Sequence, residues 1–97
     1  MRQRHSFRLD RAGRSVTVNV RSGRITETEL LVDGREVAFH RVHGYGVYPL
    51  TLAAHLPGEP PLPLAVRLER SGAPGRPLTC VLETGGAEHP MPERTGH

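Results

Sequence analysis

The sequence predicts an all-β domain, and three observations carry that prediction. Apolar residues recur every second position along several short runs, the period of a strand with one face covered. Glycine-containing turn signals separate those runs every 8–15 residues, and no long stretch has helical periodicity. Isolated β-hairpins are marginal in water, so these strands need a second layer to cover their apolar faces. The expected architecture is a small antiparallel β-sandwich of six or seven strands, with a partly closed β-barrel as the alternative.

Residues 5–10 begin the series, with Phe7 and Leu9 inward and Ser6, Arg8 and Asp10 outward. Arg11-Ala12-Gly13-Arg14 reads as a turn. Residues 15–21 form the clearest half-buried strand, with Val16, Val18 and Val20 on one face and Thr17 and Asn19 on the other. Ser22-Gly23 turns the chain into residues 25–33, where Thr26, Thr28, Leu30 and Val32 share a face opposite Glu27 and Glu29. Asp33-Gly34 is a type I′ hairpin signal, because both central positions of that turn require positive φ. Residues 35–40 return from it, with Val37 and Phe39 expected inward.

The rhythm breaks over His43–Pro49 and resumes over 50–56 with Leu50, Leu52, Ala54 and Leu56. Few of those residues are β-branched, which leaves a short helix open there as an alternative to a strand. Pro57, Pro60 and Pro61 mark a loop. Residues 62–70 and 78–84 read as the last hairpin, with Leu62, Leu64, Val66, Leu68, Leu78, Cys80 and Leu82 inward and a loop over 71–77. Residues 85–97 are rich in glycine, proline and charge, so the expected organisation is one β domain over 1–84 and a disordered tail over 85–97.

All thirteen basic residues are arginine, and they are unevenly placed. Residues 1–24 hold seven of them against Asp10 alone, whereas residues 25–97 hold six against nine acids. Such asymmetry marks either a soluble edge or a face for an anionic partner. Arg2, Arg4, Arg8 and Arg14 are the candidate contact residues of the basic segment. Tyr45 and Tyr48, set between Gly44, Gly46 and Pro49, form the second candidate contact, since tyrosines in a glycine loop make a rigid amphipathic patch.

No catalytic constellation emerges. Cys80 sits among Leu78, Val81 and Leu82, where a thiol behaves as a small hydrophobe. The serines lack a nucleophile elbow. His40 and His43 fall on opposite faces of a strand, so a metal shared with His55 is only a second alternative, and no cofactor is expected. A nucleic-acid-binding accessory role for residues 1–24 is the first alternative. The main expectation is a non-enzymatic binding module for another protein or for itself, as a homo-oligomer. No apolar run approaches the roughly 20 residues of a membrane span. No apolar stretch follows the N-terminal charges, so a cytoplasmic location is expected.

Over His5–Val37, Arg21-Ser-Gly-Arg24 and Val32-Asp-Gly-Arg-Glu-Val37 resemble the strand–turn–strand rhythm of Fas apoptotic inhibitory molecule proteins. The likeness covers about a third of the chain, needs a gap between the two motifs, and lacks that family's tryptophans. It implies a non-enzymatic β-sandwich acting through protein contacts. The motifs recur in unrelated β proteins, so they do not place the chain in that family.

Overall fold

A computed structural model describes residues 3–11, 13–70 and 77–94. Eight strands follow one another: β1 (Gln3–Arg11), β2 (Arg14–Ser22), β3 (Ile25–Val32), β4 (Arg35–His43), β5 (Leu50–Leu56), β6 (Leu62–Arg70), β7 (Leu78–Thr84) and β8 (Ala87–Met91). They form two antiparallel meanders of four strands, in the orders β1-β2-β3-β4 and β5-β6-β7-β8. The described residues include no helix, so Leu50–Leu56 is a strand.

Two expectations require correction. There are eight strands rather than six or seven, and the additional one lies in the segment read as a disordered tail. Ala87–Met91 pairs with β7, aligning Met91 with Cys80 and Ala87 with Thr84. The Gly85-Gly86 pair, both at positive φ, closes this hairpin, and Met91 is buried. Pro90 is compatible with the strand because β8 is the edge of its sheet, where a missing N–H need not break a ladder.

The second correction concerns Val37 and Phe39, which are exposed rather than inward. The Asp33-Gly34 turn has positive φ at both residues, 53° and 81°, as a type I′ hairpin requires. It sets Val32 against Arg35 and Leu31 against Glu36, but Leu30 then faces Ala38. Val37 is therefore the extra residue of a β-bulge. Because side chains alternate with period two, that single insertion reverses the phase of β4. Ala38, His40 and Val42 turn inward opposite Leu30, Thr28 and Thr26, while Phe39 stands outside opposite Glu29.

The inward phases otherwise follow the sequence pattern. Phe7, Val16, Val18, Val20, Leu30 and Val32 from the first sheet join Leu52, Leu56, Leu64, Val66, Leu68, Leu78, Cys80, Leu82 and Met91 in one buried cluster. Leu62 is the exception on its face, 39% exposed at the start of β6. The two sheets are linked by main chain along one seam, where Arg8 N–H donates to Pro92 O (3.2 Å) and Arg94 N–H to Ser6 O (2.6 Å). On the other side β4 and β5 are not sheet neighbours, so no closed barrel forms.

Candidate functional site

The five candidate contact residues among the described residues do not converge. Arg2 lies outside the described residues. Arg8 is exposed and close to Asp10, at 3.6 Å. Arg14 is committed to the hairpin turn: its guanidinium meets Asp33 Oδ2 at 2.8 Å, while Ser15 N–H donates to Asp33 Oδ1 at 2.9 Å. The Ser15 amide and then the Arg14 guanidinium hold the Asp33 carboxyl below its ordinary pKa of 3.8. Arg14 is thus a brace between β2 and the β3–β4 turn.

Arg4 differs from these two. It lies on the outer face of β1, directly opposite Arg21 of β2. Like charges paired across strands repel, and among the described residues neither has a carboxylate within ion-pair distance. The row continues through Glu27 of β3 to Arg41 of β4, whose guanidinium approaches Glu27 only to 3.9 Å. Arg21, Arg24, Glu27, Arg41 and Tyr45 border an open groove of about 630 Å³.

The two tyrosines separate by role. Tyr45 is 66% exposed on the rim of that groove. Tyr48 packs against the core, with the Arg70 guanidinium 5.7 Å from its ring centroid. Gly46 makes room for it, since a Cβ there would lie 3.3 Å from the Tyr48 hydroxyl, and φ is +90°. The loop is tied to the β2–β3 turn by Gly44 N–H donating to Arg24 O (2.6 Å) and by the Thr26 hydroxyl donating to Gly44 O (2.5 Å).

Below Tyr45 lies a cavity of about 170 Å³ bordered by Gln3, Ser22, Gly46, Tyr48 and Arg70. Ser22 Oγ, Tyr48 Oη and Arg70 Nε are buried and have no hydrogen-bonding partner among the described residues. Of the three, only Tyr48 is a candidate contact residue from the sequence, where Ser22 reads as part of a turn and Arg70 as the end of a strand. Strand phase carried the missing signal. Ser22 continues the inward series Val16, Val18, Val20, and Arg70 continues Leu64, Val66, Leu68, so each is a polar residue in a core position at a strand end.

On the other sheet Arg67 is held by Glu69, Glu83 and Glu88, the last at 3.0 Å. The hydrogen bonds it donates to Glu88 and Glu69 push its pKa further up from the ordinary arginine range. His40 faces inward and His43 outward on β4, and His55 is exposed on β5. Among the described residues no three His, Cys, Asp or Glu side chains gather to hold a metal ion, and no helix is long and apolar enough to cross a membrane. Cys80 is buried against Met91 and its pKa is pushed up to about 12 by desolvation.

The chain matches no family model, no curated protein and no solved structure.

Proposed function

We propose that this protein is a non-catalytic binding module that recognises an extended strand at its β4 edge, and that its first partner is β4 of a second copy. Two sheets stacked face to face are hydrogen-bonded on the β1 side, whereas β4 and β5 approach each other without a ladder, which leaves the outer main-chain groups of β4 without a strand partner among the described residues. The observation that carries the reading is the state of β4 itself. It is a nine-residue edge strand with Val37 and Phe39 exposed at 37% and 48%. An edge of this length presents a row of unpaired main-chain groups, and apolar side chains beside them favour strand addition over solvation. Antiparallel pairing about a two-fold axis satisfies those groups with the same strand of a second molecule.

Light scattering coupled to size exclusion tests this. The expected result is a dimer at tens of micromolar and a monomer for the double variant Val37→Lys/Phe39→Lys with an unchanged β circular-dichroism spectrum. A parent protein that stays monomeric at several hundred micromolar contradicts the reading. The nucleic-acid alternative has less support, because Arg8 and Arg14 already have acidic neighbours and only Arg4 of the basic N-terminal candidates among the described residues lacks one. Its signature is a steep loss of oligonucleotide affinity with salt.

A further inference from the structure

We infer that the cavity between Ser22, Tyr48 and Arg70 is a binding site for a phosphate-type oxyanion. The inference stands apart from the β4 edge, since none of the cavity's own residues lies on that strand; of the groove beside it, Arg41 does.

Three groups able to donate hydrogen bonds line one small space and are buried without acceptors among the described residues: the Ser22 hydroxyl, the Tyr48 hydroxyl and the Arg70 Nε–H. Ser22 is only 3% exposed. Leaving one such donor unpaired is costly, and a cluster of three calls for a common acceptor. The fourth polar neighbour, Gln3, also carries an amide N–H, and no carboxylate lines the cavity.

The charge decides what kind of acceptor fits. Among the described residues Arg70 has no acidic partner, and its guanidinium lies over the face of Tyr48. A guanidinium with two hydroxyls repels cations and matches an oxyanion with several acceptor lone pairs. Water meets such donors one at a time, whereas an oxyanion meets all three together and carries the charge opposite to that of Arg70.

The walls are set in advance. Ser22 and Gln3 are register partners at one end of the β1–β2 ladder, Arg70 ends β6, and Gly46 holds Tyr48 in place. The neighbouring groove shares Ser22 and Tyr45 with the cavity and adds Arg21, Arg24 and Arg41 against one carboxylate, Glu27. A longer phosphate ester or polyphosphate therefore extends from the cavity toward further positive charge, whereas free phosphate uses the cavity alone.

The test is an amide chemical-shift titration of the full chain with inorganic phosphate, at ionic strength held constant with chloride. Saturable shifts centred on Ser22, Gly46, Tyr48 and Arg70 are expected. Tyr48→Phe and Ser22→Ala, each removing one hydroxyl, weaken binding about tenfold, as loss of a hydrogen bond to a charged ligand does. Arg70→Gln abolishes it, and Arg11→Gln, at the opposite end of β1, leaves it unchanged. A parallel titration with tripolyphosphate distinguishes the ligands: tighter binding that is lost in Arg24→Gln/Arg41→Gln assigns the longer anion, and equal affinity assigns the free ion. Shifts no greater than those with chloride alone, or full affinity in Tyr48→Phe and Ser22→Ala, overturn the site.

Discussion

At the scale of single residues, the buried polar atoms give the sharpest predictions. Thr28 is fully buried on β3 and its hydroxyl has no partner among the described residues. Exchanging it for an apolar group of the same shape removes an unmet desolvation cost, so Thr28→Val is expected to raise unfolding free energy by about 1 kcal/mol in urea melts. A loss of similar size shows that the hydroxyl is bonded after all. Cys80 makes a second prediction. Burial keeps its proton bound up to about pH 12, while the unfolded thiol ionises near 9.0. The folded state therefore holds the proton more tightly, and its advantage is intact below 9.0 and falls between 9.0 and about 12 as the unfolded chain ionises. This one group costs at most about 1.4 kcal/mol for each pH unit in that window. Cys80→Ala is expected to flatten that part of the stability profile, and thiol labelling of the parent at pH 8 is expected to track global unfolding. The inward phase of Thr28 and Cys80 was legible from alternation, but the missing partner of Thr28 was not, because it depends on what packs from the neighbouring strands.

At the scale of elements, the Asp33-Gly34 hairpin is where local chemistry decides the most. Gly34 has φ +81°, so Gly34→Ala is expected to cost about 1 kcal/mol in a urea melt. Asp33 has its carboxyl pKa lowered, so its contribution is complete at pH above 3.8 and is lost as pH falls through the folded value. Asp33→Asn keeps a side chain suited to a type I′ turn and is expected to remove that acid-side loss from the pH profile. The turn, its type and the strands on both sides were readable from Asp-Gly between apolar alternations. The bulge at Val37 was not, and an uninterrupted two-residue period necessarily assigns Val37 and Phe39 to the core. β8 escaped for a different reason. Its Ala87-Glu-His-Pro-Met91 carries one buried apolar side chain, too few for a period, and its order comes from pairing with β7.

At the scale of the whole molecule, the two sheets differ in both charge and edge. The outer row of the first sheet places Arg4, Arg21 and Arg41 around a single glutamate, whereas on the second sheet three glutamates surround Arg67. The charge imbalance was visible along the chain, but its sorting onto two faces required the register. The edges are as unequal as the faces: β1 is covered by residues 92–94, and β4 pairs with β3 on one side while no described strand of its sheet lies on the other. Edge coverage could not be inferred from the sequence, since the segment that covers β1 reads as tail. The central claim, that β4 is completed by a second copy, is tested most directly by amide hydrogen exchange at two protein concentrations. Protection over Arg35–His43 is expected to rise from low to high micromolar protein, while β1 and residues 92–94 exchange at unchanged rates. Exchange in β4 that is equally fast at both concentrations contradicts the claim.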